Sequence, residues 1–276
     1  MDVLRDRAAL REWRERLPTT ARIGFVPTMG NLHAGHLALV KLAQSQAAVV
    51  IVSIFVNPLQ FNDPADLARY PRTEAADLAV LEAAGVDAVF MPDAADLLTL
   101  GLDAVRIEPG LLAERWEGAA RPGHFAGMAT IVAKLFHLVA PQFAVFGQKD
   151  FQQLVIVRAM VQSLNFPLEI IAGETVRAED GLALSSRNRF LTAAERQIAP
   201  FLHQQLQAAA AAIRAGDEID AVLQDAHARL GEAGFVVEYF ALCDQRSLAP
   251  TVVPEGAVLL TAARLGAVRL LDNLLL

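Results

Sequence analysis

One cysteine, Cys243, is all the thiol chemistry this 276-residue chain carries. No internal disulfide can staple it, which fits a reducing compartment and gives cytoplasmic localisation as the expectation. Long apolar runs are missing as well. The longest, residues 47–56, falls far short of the ~20 residues that cross a bilayer. Residues 1–17 alternate arginine and acid with apolar side chains instead of presenting the unbroken apolar core of a signal peptide. The expectation is a soluble intracellular protein with no membrane partner. Excess positive charge is absent too: the formal net charge is −7, which argues against general nucleic-acid binding and leaves room only for a local basic pocket. There is no GxGxxG, no Walker lysine motif, and no third or fourth ligand at zinc-site spacing from the histidines. No fixed-period repeat occurs, and the alanine run 208–212 is the one low-complexity stretch.

What the chain has is apolar pattern. Hydrophobic residues make up 54% of it, enough to fill one large domain or two moderate ones. Helical spacing predicts helices over 8–17, from 36 to 43, and over 74–84, 126–139 and 151–164. Compact apolar runs predict strands over 23–26, 47–56, 87–91, 143–146 and 168–171. The run 47–56 is apolar on both parities and rich in β-branched residues, as a strand covered on both faces should be. This alternation predicts a doubly wound parallel α/β sheet whose ligands lie beyond the carboxyl ends of the strands. From about residue 192 the character changes to one long helix over 193–215, another over 219–230, and strands over 235–242, 257–264 and 268–271. The expected organisation is a first domain over 1–175 and a smaller α+β domain over 176–276, with a hinge at about 173–188.

The stretch that organises the rest is Pro27-Thr28-Met29-Gly30-Asn31-Leu32-His33-Ala34-Gly35-His36. It joins a strand to a turn and the turn to a helix. A helix start leaves backbone N–H groups unpaired at the positive end of the dipole, which makes it a site for phosphate oxygens. His33 and His36, three apart, share one face of that first turn, where an imidazole can donate to charge developing on phosphate. The plainer alternative is that two histidines simply cap the helix.

Other chemically loaded segments also follow predicted strands. Asn57 and Gln60 follow the second, and Gly147-Gln148-Lys149-Asp150 with Gln153 follows 143–146. Lys149 at such a turn can meet phosphate as a point charge, and Gln153 presents an amide one helical turn later. Turn formation or surface solvation is the alternative for Asn57 and Gln60. Arg121, before a helix and after the stretch 116–120, is read as part of a loop able to close over a site, with a solvated surface turn as the alternative. Ser185-Ser186-Arg187-Asn188-Arg189 offers hydroxyls and guanidinium groups suited to a triphosphate, although an isolated run of this kind is usually a solvated loop.

Taken in order, the HxGH turn, Phe55-Val56-Asn57-Pro58-Leu59-Gln60-Phe61, Tyr70-Pro71-Arg72-Thr73, Arg121-Pro122-Gly123-His124-Phe125, residues 147–153 and Ser185-Ser186-Arg187-Asn188 resemble the pantothenate synthetase family, the pantoate:beta-alanine ligases. The resemblance covers nearly the whole chain, whereas a lone HxGH would indicate only a wider nucleotidyltransferase superfamily. It implies a Rossmann-like fold of HxGH type. It also implies an AMP-forming ligase that makes pantothenate through a pantoyl adenylate, with ATP as substrate, Mg²⁺ bound mainly through the ATP, and a homodimeric state. By resemblance, Met29, Gly30, Asn31, Leu32, His33, Ala34, Gly35, His36, Gly147, Gln148, Lys149, Asp150, Val176, Leu184, Ser185, Ser186 and Arg187 bind ATP. The resemblance makes His36 the proton donor; His33, Lys149 and Arg187 are added as catalytic groups because they can donate to, or cancel, charge on phosphate. By the same resemblance Gln60 and Gln153 hold pantoate and Gln60 also lies near beta-alanine; Asn57 and Arg121 are added to that substrate set from their own places after a strand and in a loop. Asn31, Gln148, Ala178 and Leu184 depart from the family's usual alanine, glutamate, glutamate and methionine, which bears on adenine packing and turnover. Two other readings stand beside the ligase: an HxGH nucleotidyltransferase acting on another small acceptor, and a non-catalytic nucleotide-binding protein.

Overall fold

The computed structural model describes residues 1–101 and 105–276. Six strands, β1 (Asp2–Leu4), β2 (Ile23–Thr28), β3 (Val49–Ile54), β4 (Ala88–Phe90), β5 (Phe143–Gly147) and β6 (Glu169–Gly173), form one sheet in the order β1-β4-β3-β2-β5-β6. Every neighbouring pair is parallel. This is the doubly wound α/β sheet that the alternation of apolar runs predicts. Phe25, Val26, Ile51, Val52, Val89 and Val145 are fully buried, because a strand with helices on both faces has no solvent side. Strand order reverses at β2, which has β3 on one side and β5 on the other, and ligands of such sheets bind beyond the carboxyl ends of the strands at this point.

A detail of β2 opens the sheet there. Its pairing with β3 runs from Ile23 to Thr28, whereas its pairing with β5 covers only Gly24 and Phe25. Pro27 brings no N–H to a ladder, so a central strand carrying it tolerates pairing on one side only at that level.

Three further strands, β7 (Phe235–Asp244), β8 (Ala257–Leu265) and β9 (Val268–Leu275), make an antiparallel sheet. Its apolar face packs with Leu202, Leu206, Ile213 and Leu230 of the helices Phe201–Ala215 and Ile219–Glu232. Backbone contacts divide the chain into two compact units, one of Met1–Gln148 with Ile156–Gly173 and one of Lys149–Val155 with Glu174–Leu276.

Three expectations need correction. The single helix over 193–215 is two, Ala193–Ile198 and Phe201–Ala215, broken at Pro200, which cannot donate the intrahelical bond. The last strand does not stop at Leu271 but runs through Asp272 and Asn273 to Leu275. The stretch 116–120 is not an open loop: Glu117–Ala120 is a short helix, and Gly118 lies so close to the Ala113 carbonyl that a methyl group would overlap it.

Candidate active site

The turn after β2 is built from backbone upward. The Thr28 hydroxyl donates to the Ser53 carbonyl (2.7 Å) and accepts from the Gly30 N–H (3.2 Å). Gly30 and Asn31 then take φ of 79° and 50°, the left-handed region that glycine occupies freely and asparagine far more readily than alanine. The two residues turn the N–H groups of Asn31 and Leu32 onto the Asp77 carboxylate (2.9 and 2.8 Å), which also accepts from the Thr73 hydroxyl at 3.0 Å.

Asp77 lies on the helix Glu74–Ala83 and is only 3% exposed. By sequence it reads as an ordinary acid in a first helical turn. Its partners, 45 and 46 residues away, leave no periodic trace. The one available signal is Thr73 four residues before it. Asp77→Ala leaves two N–H groups without their acceptor, at a cost of about 1–3 kcal/mol. A lowered midpoint of thermal unfolding is expected; an unchanged midpoint would show that the carboxylate does not hold the turn.

His33 is the N-cap of the helix Ala34–Gln44 and His36 its third residue, and together they make a capping box. His33 Nδ1 accepts from the Gly35 N–H (3.1 Å), and the His33 N–H donates to His36 Nδ1 (3.3 Å). The ring centroids are 4.1 Å apart. The capping alternative is therefore real, and it does not compete with the catalytic one. With each Nδ1 used as an acceptor, each neutral ring carries its hydrogen on Nε2, as a donor. Capping selects the tautomer that a phosphate oxygen requires.

Beyond β3, Asn57 caps the turn Pro58–Gln60 through its Oδ1, which accepts from the Leu59 N–H at 3.0 Å. Its Nδ2 donates to Gln60 Oε1 (2.9 Å) and to the Gly127 carbonyl (3.0 Å). The Gln60 carbonyl accepts from Arg121 Nη2 (3.2 Å) and from His124 Nδ1 (2.8 Å), while Arg121 Nη1 approaches His124 Nε2 (3.3 Å) and pairs with Glu117 (3.1 Å). Arginine only donates, so His124 Nε2 accepts and its hydrogen sits on Nδ1. Gly127 makes this possible: a Cβ there would lie 2.1 Å from the Leu59 carbonyl oxygen. Thus Asn57, Gln60 and Arg121 come together, with Gln60 Oε1 engaged by Asn57. Sequence does not single out His124, although it lies inside the Arg121-to-Phe125 segment.

In the second unit, Lys149 lies in the short turn Gln148–Asp150 that follows β5 and enters the helix Phe151–Ser163, which carries Gln153. Val176 and Leu184 meet as the legs of a small hairpin, the Leu184 N–H donating to the Val176 carbonyl at 2.9 Å with Arg177 bridged to Ala183 between them. Ser185 then caps the 3-10 turn Ser186–Phe190, accepting from the Arg187 N–H at 3.2 Å, so the Ser-Arg segment is a built turn and not a solvated run. Lys149 and Ser185 line one small polar cavity with Asn188, His203 and Asp272. Asp272 is 5% exposed and takes a two-pronged bond from Arg177 (2.6 and 2.9 Å). Burial pushes its carboxyl upward, but His203, Arg177 and the Asn273 N–H together hold it below the usual carboxylate range.

A parallel sheet with its order reversing at β2, and at the end of that strand a helix opened by two capping histidines in HxGH order, defines an α/β protein of the HxGH nucleotide-binding class. The chain belongs within that class to the pantoate-beta-alanine ligase family, whose model matches residues 2–275. It is 51% identical over 257 residues to a pantothenate synthetase of Ectopseudomonas mendocina (strain ymp), covering 92% of this chain and 90% of that one. Among solved structures it is similar to pantothenate synthetase from Thermus thermophilus, with a TM-score of 0.92 at 45% identity over 99% of both chains. It is also similar to pantoate-beta-alanine ligase from Francisella tularensis complexed with beta-gamma ATP and beta-alanine, with a TM-score of 0.86 at 35% identity, covering 100% of this chain and 97% of that one.

Proposed function

We propose that this chain condenses pantoate with beta-alanine at the expense of ATP, releasing AMP and pyrophosphate. The observation that carries the reading is the turn Met29–His36, where both imidazoles are tied at Nδ1 and so donate from Nε2 at a helix N-terminus. A carboxylate has a poor leaving group. Its oxygen therefore first attacks the α-phosphorus of ATP, giving pantoyl adenylate and pyrophosphate, and the amine of beta-alanine then attacks the acyl carbon and expels AMP. Neither step needs a covalent enzyme nucleophile, so catalysis rests on positioning and on cancelling charge.

In this proposal Met29, Gly30, Asn31, Leu32, His33, Ala34, Gly35, His36, Gly147, Gln148, Lys149, Asp150, Val176, Leu184, Ser185, Ser186 and Arg187 bind ATP. His36 donates to the departing pyrophosphate, and His33, Lys149 and Arg187 neutralise phosphate charge. Gln60, through its amide N–H₂, and Gln153 orient the carboxylate and hydroxyls of pantoate. Arg121 serves that substrate by fixing the Gln60 backbone.

Mg²⁺ enters with the nucleotide. Among the described residues no cluster of three or more His, Cys, Asp or Glu side chains is arranged to hold an ion, and the Asp77 oxygens already take three donors. Phosphate oxygens would supply most of its ligands, and the ion when bound neutralises charge on them. We further assign domains 1–175 and 176–276 with a hinge over 173–188, a homodimeric state, and residence in the cytoplasm. The last is supported by the single, buried Cys243. Among the described residues no helix is long and apolar enough to cross a membrane.

The test is to mix the purified chain with ATP, Mg²⁺, D-pantoate and beta-alanine and to follow AMP and pantothenate while omitting each substrate in turn. Production of both, dependent on all three substrates, is expected. A nucleotidyl product that accumulates without amide formation would instead select a nucleotidyltransferase.

A further inference from the structure

Strand β9 breaks its own rule at Asp272 and Asn273. Successive side chains on a strand point to opposite faces, and Val268 to Leu271 alternate buried with partly exposed. The next two residues are polar, adjacent and both buried, at 5% and 4% exposure. Burying two polar side chains on opposite faces is costly unless each meets a partner. Asp272 meets Arg177, and Asn273 reaches across 124 residues of sequence to donate from Nδ2 to the backbone carbonyl of Lys149 at 2.9 Å. The Asn273 N–H in turn donates to Asp272 Oδ1 at 2.8 Å, so the asparagine is held from behind by the residue that clamps the Val176-to-Leu184 hairpin.

Lys149 sits in a three-residue turn between β5 and the helix Phe151–Ser163, and the Asn273 bond ties the carbonyl of that turn to β9. We propose that Asn273 is a positioning residue for adenylate formation, setting the Lys149 backbone so that its ammonium meets phosphate. This rests on the ligase reading above and adds a residue that never touches substrate.

A residue acting through Lys149 has nothing left to position once that ammonium is gone, and a double-mutant cycle tests this. In the full-length chain, Asn273→Ala is expected to lower the rate of pantoate-dependent ATP–pyrophosphate exchange by about tenfold, with little change in the KM for pantoate. Asn273→Asp, which turns an acceptor toward the Lys149 carbonyl, should lose at least as much. In a Lys149→Ala background the same substitutions should change the residual rate by less than about twofold, the two losses belonging to one unit. If the Asn273 losses are as large in that background as in the parent, or appear only as a raised pantoate KM, Asn273 is structural and the inference fails while the ligase reading stands. If the unsubstituted chain exchanges no pyrophosphate in the presence of pantoate, the ligase reading fails and takes this inference with it.

Discussion

Pantoate-dependent ATP–pyrophosphate exchange is expected to fall about a hundredfold or more in His36→Ala, the scale of losing a general acid or an oxyanion donor. The fold should survive. Losing the third residue of a capping box costs on the order of 1 kcal/mol, small beside a core that buries Phe25, Val40 and Ile51 almost completely. The two roles of His36 separate in His36→Glu, because glutamate at this position supplies the capping acceptor for the His33 N–H but places negative charge at the helix start. Thermal stability should return toward that of the parent while the exchange rate stays low. Recovery of the rate with the stability would mean that His36 acts only as a cap.

Lys149→Ala should produce a loss of the same order, about a hundredfold, read by the same exchange assay, since one point charge on the phosphates is removed while the backbone it stood on keeps its Asn273 bond. The expected result for Lys149→Arg is more telling. The chain has three lysines, Lys41, Lys134 and Lys149, against 21 arginines, so arginine is its habitual cation. A planar fork on a three-residue turn cannot place its charge where a compact ammonium sits, and the arginine variant should recover less than a tenth of the parent rate. Full recovery would show that only net positive charge is needed at that position.

The sheet is legible in the sequence because its strands are local: each is a compact apolar run bounded by polar or turn residues, and β2, β3 and β5 announce themselves that way. β1 is not, since Asp2, Val3 and Leu4 are too few to establish a period and gain strand character only by pairing with β4. The helix Pro64–Arg69 is equally hard to read: Asp63 caps it and Pro64 begins it, a start signal with too short an apolar stripe behind it. At the candidate site, Met29 to His36, Asn57 with Gln60, and Gly147 to Asp150 stand in the turns that follow β2, β3 and β5, where local motif and local geometry coincide. Asp77, His124, Asp272 and Asn273 escape such a reading because what they do depends on partners 45 to 124 residues away. Sequence gives the identity of such a side chain but not its burial, and burial is what separates a solvated acid from the carboxylate under the Gly30 turn.

The early parting of β2 from β5 has a thermodynamic side. Past Phe25 no ladder bond joins the two strands, so an incoming molecule that offers polar atoms to this crevice disrupts none. The opening is settled when the chain folds and does not have to be created at each encounter, which removes one contribution to the reorganisation that otherwise weakens affinity. A residue able to donate at position 27 would allow the β2–β5 ladder to run on past Phe25 and close the gap that Pro27 keeps open.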